Sequence, residues 1–471
     1  MDIFDYFEIR KQMDPHYEGK FLVGSYSMGI FCNVTCPRTP PEHPDENDLI
    51  VLHNIYEGFA CGLLPCEECE PDMYTDRINL NRSVSPLVQR VVSMIEDGYL
   101  NDHTVRDLAD QLRVSERYLR KVFVKETGLT PSRLAMYHRG TIAKRLLSET
   151  NIPVTDIAYI SGFGSVRQFN QVMRDMYQTA PTEIRSRNLV RVGESNELYI
   201  EVPEDLDFRK CLSVMKQYEI EGVMKITEDS YARTFLINGM SGCFRVYEDR
   251  ENHRLVITVY SSDKRCYIAL YYRVTRMFDL LSNRKVIREI IGEDSFGGYL
   301  CTHELPRILC WFDPYECMIY AILRQTMTHE EAIRLMASYA DRLGKKAGAE
   351  IQGLTRIFPE AFRPGRMDQR VLGLEARTVR MIQTFESLVE QRKVYLTYYQ
   401  SCRDFYGSLS EIQGLEDKSK RFISMHGLGL RDVEYPGELS GGGDPGWEEY
   451  CSYTALICDE IRRERDRVQP V

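Results

Sequence analysis

Gly29-Ile30-Phe31-Cys32-Asn33-Val34-Thr35-Cys36-Pro37-Arg38 and, 29 residues after its second cysteine, Cys66-Glu67-Glu68-Cys69 decide how the first part of this chain folds. Each pair, Cys32-x3-Cys36 and Cys66-x2-Cys69, can place two thiols around one ion, and together they close a tetrahedral thiolate cage of the kind that holds zinc. The spacing predicts Cys32, Cys36, Cys66 and Cys69 as ligands of Zn2+. Cys61 lies near the motif but outside it and is expected to be a buried thiol.

The 471 residues around this motif are enough for three or four domains, each with its own core. Hydrophobic residues make up 43% and mean hydropathy is -0.36, with no apolar run near the ~18 residues of a membrane helix. The start, Met1-Asp2-Ile3-Phe4-Asp5, lacks the basic and apolar parts of a secretory signal. Fourteen cysteines then read as metal ligands plus thiols of a reducing compartment, so a cytoplasmic, nucleoid-associated location without membrane partners is expected.

The net charge of -10 is unevenly spread. Residues 1–81 carry 5 Lys+Arg against 15 Asp+Glu, whereas residues 82–187 carry 16 against 11. The middle segment is therefore the part expected to face double-stranded DNA. It also repeats itself at an offset of about 50 residues. Val114-Ser115 recurs as Gly164-Ser165, Leu119 as Phe169, Val122-Phe123 as Val172-Met173, and Pro131 as Pro181.

Each copy reads as a helix, a tight turn and a second helix capped by Ser115 or Ser165. The first copy buries Leu119, Val122 and Phe123 and leaves Arg117, Arg120, Lys121 and Lys125 outside. The second leaves Arg167, Gln168, Asn170, Gln171 and Arg174 outside, and both faces can bond base edges or phosphates. Two such units joined by a helix through Ala135 to Leu147 can enter successive major grooves. Solvated basic faces on two helical hairpins are the plainer reading. The wording of Ala143-Lys144-Arg145-Leu146-Leu147 and Ile157-Ala158-Tyr159-Ile160-Ser161-Gly162-Phe163 resembles the DNA-binding domain of the AraC family.

Tyr17-Glu18-Gly19-Lys20-Phe21-Leu22-Val23-Gly24, Gly29-Ile30-Phe31-Cys32, Cys36-Pro37-Arg38 and Pro65-Cys66-Glu67-Glu68-Cys69-Glu70-Pro71 together resemble the amino-terminal zinc domain of the Ada alkylation-response family. The resemblance implies that Cys32 takes a methyl group from a methylated DNA phosphate and keeps it. A zinc-bound thiolate stays nucleophilic at neutral pH and needs no separate base. Zn2+ with four thiolates sums to a charge of -2, and methylation of one sulfur reduces this to -1. At ~6 Å from a phosphate and an effective dielectric near 20, the difference is worth about 2–4 kcal/mol. The resemblance thus implies a promoter-binding activator, with RNA polymerase as a second partner.

Two features keep a purely structural zinc open. Asn33-Val34-Thr35 follows Cys32 where relatives carry an arginine, and Pro40-Pro41-Glu42-His43-Pro44-Asp45-Glu46 is acidic. Arg38, Lys20 and Arg10 remain as cations for a phosphate backbone.

Beyond a linker near Arg185–Asn196, strand-like stretches at Leu198–Val202 and Leu255–Val259 give way to helices from Asp313 onward. Tyr231-Ala232-Arg233-Thr234, Arg276-Met277-Phe278-Asp279-Leu280, Ala321-Ile322-Leu323-Arg324-Gln325 and Leu409 to Gly427 resemble the AlkA type of 3-methyladenine DNA glycosylase. Such an enzyme needs a glycine-rich hairpin turn that offers N–H groups to a phosphate, and an acid that stabilises the sugar cation. In Gln413-Gly414-Leu415-Glu416-Asp417-Lys418 the second glycine is replaced by Glu416, whose Cβ and charge both oppose that role. After Asp432-Val433-Glu434-Tyr435-Pro436 only Glu438 is in register with the catalytic acid, and Gly441-Gly442-Gly443 follows it. Trp311, Tyr315, Tyr398 and Tyr399 are read as core aromatics.

The sequence therefore predicts an α+β multidomain chain: a small zinc-bound α/β domain (1–80), an all-α double helix-turn-helix domain (81–187), an α+β domain (197–303) and a helical helix-hairpin-helix glycosylase-like domain (304–471) that is degenerate. The expected function is a transcriptional regulator of the alkylation response and stoichiometric methylphosphotriester methyltransferase. One alternative is a bifunctional repair protein with an active 3-methyladenine DNA glycosylase using Glu438. The other is a transcription factor with a purely structural zinc and a ligand-sensing carboxy-terminal domain.

Overall fold

A computed structural model of the chain describes residues 3–14, 17, 20–38, 48–72, 85–96, 98–187, 196–280, 282–292, 296–348, 350–360, 374–391, 393–396, 402–433 and 450–468. Chain contacts divide it into two compact units, 1–195 and 196–471. Among the described residues no helix is long and apolar enough to cross a membrane.

The first unit begins with helix α1 (Ile3–Gln12) and a four-stranded sheet of β1 (Leu22–Ser25), β2 (Ile30–Asn33), β3 (Leu49–Leu52) and β4 (Leu64–Pro65), in the order β3-β1-β2-β4. β1 pairs antiparallel with β2 and β3, and β2 pairs parallel with β4. Alternation along β2 sends neighbouring side chains to opposite faces. Cys32 lies opposite Val23, whose cluster with Phe21 and Val34 is covered by Tyr6 and Ile9 of α1. Phe31 turns the other way and meets Phe59 of α2 (Ile55–Ala60) edge-on at 5.5 Å. Gly58 permits this approach, because a Cβ there would lie 2.5 Å from the Phe31 ring.

The rest of the unit is helical: α3 (Pro86–Glu96), α4 (Tyr99–Asp102), α5 (Val105–Gln111), α6 (Glu116–Thr127), α7 (Pro131–Glu149), α8 (Val154–Ile160), α9 (Val166–Tyr177) and α10 (Pro181–Arg187). Helix α7 is the spine, burying Leu134, Ala135, Ile142, Ala143, Leu146 and Leu147. Helices α6 and α9 bury Leu119 and Phe123, and Phe169, Val172, Met173 and Met176. Val122 is only half-buried, contrary to the sequence expectation, because it lies at the edge of the stripe that Leu119 and Phe123 define.

α2 packs directly on α7. The His138 ring, buried in α7, meets the Tyr56 hydroxyl at 3.0 Å through Nδ1 and the Glu96 carbonyl at 3.3 Å through Nε2. A carbonyl only accepts, so the neutral ring carries its proton on Nε2 and Tyr56 donates to Nδ1. Burial lowers the His138 pKa to about 4.

In the second unit, β5 (Glu197–Glu201), β6 (Met224–Ile226), β7 (Ser230–Ile237), β8 (Met240–Asp249) and β9 (Arg254–Tyr260) form an antiparallel sheet ordered β5-β9-β8-β7-β6. The helices that follow include Cys266–Met277, Pro314–Leu323, His329–Leu343 and Ala376–Glu390. Arg233 of β7 makes a bidentate pair with Glu316 at 2.5 and 3.2 Å, stacked 4.4 Å from the Phe312 ring, and ties sheet to helices in a region closed to water. The mixed α+β class expected from sequence is what the structure shows.

A pH dependence follows from His138. Below its unfolded pKa near 6.5 the unfolded chain binds a proton that the native ring refuses until about pH 4. The contribution is fully present above about pH 6.5 and is lost as pH falls, by roughly 3 kcal/mol in all. Thermal unfolding of the first unit from pH 7.5 to 4 should show this slope in wild type, and His138→Gln should flatten it.

Candidate metal centre and nucleic-acid interface

Local hydrogen bonds bring the two cysteine pairs together. After β2 a turn closed by Cys36 N–H to the Asn33 carbonyl (3.2 Å) returns Cys36 toward Cys32. Continuing from β4, Cys66 N–H donates to the Phe31 carbonyl at 2.9 Å, which sets the second pair against the first. Glu70 N–H to the Cys66 carbonyl (3.0 Å) closes the last turn, and Asn33 N–H points at Cys69 Sγ at 3.4 Å.

The four sulfurs lie within 4.8 Å of one another, with Cys36 Sγ 3.9 Å from Cys66 Sγ. A tetrahedron with metal–sulfur bonds of about 2.3 Å has edges of about 3.8 Å, so four thiolates here suit one zinc ion. Burial pushes the Cys36 thiol up to about 12, and the Cys69 thiol is pushed up by its bond to Cys32 and then by burial. Such thiols stay protonated at neutral pH unless a cation offsets their charge. The donor set and its surroundings are those of a zinc site. Cys32, Cys36 and Cys66 are buried, Cys32 at 0% exposure, and Cys69 is the half-exposed ligand.

Cys61 is exposed, which corrects the sequence expectation: it caps the end of α2, past the last buried turn, and its thiol meets the Tyr26 side chain. Arg38 is exposed and Lys20 half-buried. Arg10 is buried and so is not a cation for DNA. The acidic loop 40–46 lies outside the described residues.

The two helix-turn-helix units are near copies. α5 and α8 each have seven residues, and α6 and α9 each have twelve. The turns differ: Arg113 takes the left-handed conformation (φ 57) two residues before Ser115, whereas Gly162 (φ 86) stands three before Ser165. Ser115 accepts from Tyr118 N–H and Ser165 from Gln168 N–H, each capping its helix.

On α6, Arg117, Lys121 and Lys125 are exposed, while Arg120 is half-buried and paired with Glu116 at 2.8 Å. On α9, Arg167, Gln168, Gln171 and Arg174 are exposed and Asn170 half-buried. Gln171 donates to Asp175 at 2.7 Å, and Gln168 accepts from Gly164 N–H at 3.3 Å. The sequence reading missed Tyr118, 53% exposed on α6 among these cations. Its outward position in the helical period was the available signal.

The cage and the second helix-turn-helix unit are joined within the same compact unit. Asp72, three residues after Cys69 and with its side chain at 0% exposure, receives Lys144 Nζ of α7 at 2.9 and 3.0 Å. Lys144 Nζ also lies 5.3 Å from the ring of Tyr177 in α9, and Phe59 packs on Tyr137 and Tyr177 at 5.6 and 5.7 Å. The Tyr177 phenol is held well above its ordinary pKa, first by burial and then by the Asp72 charge. No sequence pattern announces these contacts.

In the second unit the hairpin turn differs from its sequence reading. Gly414 has φ 88, but Glu416 has φ -72, an extended conformation open to any residue, so its Cβ carries no strain. The turn is engaged internally: Glu416 N–H donates to Gln325 Oε1 at 2.6 Å, and the Gly414 carbonyl accepts from Gln325 and Arg377 at 3.2 and 3.3 Å. Trp311 is buried against Tyr218 and Tyr320 at 5.4 and 5.1 Å, and Phe422 packs on Tyr320 at 5.5 Å. Tyr315 is buried as well. Glu438, Gly441 to Gly443, Tyr398 and Tyr399 lie outside the described residues.

Three family profiles match in order: the metal binding domain of Ada at residues 5–72, a helix-turn-helix domain of AraC type at 108–187, and the AlkA N-terminal domain at 197–304. A Mycobacterium tuberculosis protein named "Probable bifunctional transcriptional activator/DNA repair enzyme AlkA" is 25% identical over 434 residues, covering 89% of this chain and 85% of that one. "Bifunctional transcriptional activator/DNA repair enzyme AdaA" of Bacillus subtilis is 24% identical over 182 residues, 39% of this chain and 81% of its own. Among solved structures, a 3-methyladenine DNA-glycosylase from Archaeoglobus fulgidus aligns with a TM-score of 0.44 at 16% identity, over 56% of this chain and 98% of its own. The chain thus joins an Ada-type zinc domain, an AraC-type helix-turn-helix domain and an AlkA N-terminal domain, and the four-cysteine cluster is the zinc site of the first.

The buried pair gives a direct test of how the zinc half is held. Lys144→Met leaves the Asp72 charge buried and unmatched and should destabilise the first unit by about 3–5 kcal/mol. Adding Asp72→Asn should restore most of that loss in calorimetric unfolding of the full chain.

Proposed function

We propose that this chain is a DNA-binding transcriptional activator of the alkylation response, which accepts a methyl group from a DNA methylphosphotriester on Cys32 and binds promoters through its two helix-turn-helix units. The observation that carries the reading is a four-thiol cage built into the same compact unit as two capped, outward-facing basic helices. The names of the relatives from Mycobacterium tuberculosis and Bacillus subtilis support it. We assign the chain four parts: 1–80 for methyl acceptance, 81–187 for promoter reading, and 197–303 with 304–471 for a glycosylase-like half.

Zinc, when bound, keeps the four sulfurs as thiolates at neutral pH. Cys32 Sγ attacks the methyl carbon in line with the phosphate oxygen; the S–C bond forms as the C–O bond breaks, and the phosphodiester leaves as an anion, so no proton moves. The thioether is a poor leaving group, so each chain acts once. The sulfur cluster loses one negative charge, which favours DNA by about 30- to 1000-fold at an effective dielectric near 20. Arg117, Lys121, Lys125, Arg167 and Arg174 contact phosphates, Arg120 does so after leaving Glu116, and Gln168, Asn170 and Gln171 read base edges. RNA polymerase is the partner recruited at the promoter, and the site of action is the bacterial nucleoid.

Cys32 is sealed at 0% exposure, so transfer depends on DNA opening its cover. Free methyl iodide should therefore modify exposed Cys61 and Cys301 before Cys32. A methylphosphotriester duplex should place one methyl on Cys32 and tighten operator binding, as read by peptide mass spectrometry and fluorescence anisotropy. An adduct on Cys69 would move the acceptor, and no adduct would leave the zinc purely structural.

The glycosylase-like half works without base excision in this reading. The support is the turn amide of Glu416, which is spent on Gln325, and the mutual packing of Trp311, Tyr218, Tyr320 and Phe422. The rival, excision through Glu438, draws on the name of the mycobacterial relative. Alkylated duplex DNA should release no 3-methyladenine with wild type; release that Glu438→Ala abolishes would establish the rival.

A further inference from the structure

Arg10 stands in the last turn of α1, 2% exposed and among the largest fully buried side chains of the described residues. Its Nη2 donates to the Cys36 carbonyl at 2.8 Å. Helix α1 is fixed in that position by Tyr6, edge-on to Phe21 at 4.8 Å, and by Ile9 on the Phe21, Val23 and Val34 cluster. The face of the sheet that α1 covers is the face on which Cys32 lies opposite Val23.

We infer that Arg10 is a positioning residue of the zinc cage: it pins the Cys36 ligand loop through its carbonyl and supplies a buried positive charge to the four-thiolate cluster. The carbonyl oxygen and Sγ of one cysteine are four bonds apart, about 3–4.5 Å by covalent geometry, so Arg10 Nη2 lies no more than about 7 Å from Cys36 Sγ. With zinc bound the cage keeps a net negative charge, and a fixed cation at that range in a dry setting offsets it and lowers the energy of the sulfur electrons. The role stands whether or not Cys32 accepts a methyl group, because it concerns metal retention alone.

The test uses the full chain, loaded with zinc for affinity and with cobalt for spectroscopy. Competition against a chromophoric chelator should show Arg10→Met binding zinc about 10- to 100-fold more weakly than wild type. The sulfur-to-cobalt charge-transfer band should move to longer wavelength in Arg10→Met, since loss of the nearby cation raises the sulfur donor orbitals, and Arg10→Lys should bring most of the shift back. A packing role would lower only the unfolding temperature. Wild-type zinc affinity in Arg10→Met, or an unmoved band whatever the affinity, overturns the inference. Should Arg10→Met fail to fold, Arg10→Lys decides: affinity close to wild type supports the role, and affinity as poor as that of Cys36→Ser overturns it.

Discussion

Sulfurs shut away from water cannot share a space as anions without a cation among them, and the amino-terminal fold is arranged around that constraint. β2 and β4 run parallel so that the residues leaving each strand, Cys32 to Cys36 and Cys66 to Cys69, converge. Backbone bonds from Leu64 N–H to the Gly29 carbonyl and from Cys66 N–H to the Phe31 carbonyl fix their register. Burial holds the Cys36 thiol above its ordinary pKa, and a bond to Cys32 followed by burial does the same for Cys69, so binding a metal here releases protons.

The metal half is also built into the helical half. Asp72 follows the last ligand by three residues, and its bond to Lys144 crosses from the knuckle of the cage to the spine helix α7. Tyr177 links that ion pair to α9, while Tyr56 and His138 make a second attachment at α2. The cage and the helix-turn-helix helices are therefore linked by packed side chains within one compact unit.

How much of this was legible in the sequence depended on how local the physics was. Cysteine spacing, the period of the duplication and the serine caps are written within a few residues, and the cage, the paired helices and their N-termini are all present in the fold. Contacts across long separations were not legible. Lys144 and Asp72 are 72 residues apart, and Arg10 reaches Cys36 across 26, so neither pairing has a sequence signal before docking is known. Arg10 read as a surface cation because charge alone gives no depth. Cys61 was misread for a similar reason: closeness to the motif does not show that it stands at the exposed end of α2. Glu416 looked strained only because a glycine was expected where the backbone is extended.

The extra residue in the second turn, Gly162-Phe163-Gly164 against Arg113-Val114, and the different outward side chains of α6 and α9 make the two units unequal copies. A protein of this build has a front and a back on the duplex. Unequal copies suit a target with a direction, like a word rather than a palindrome.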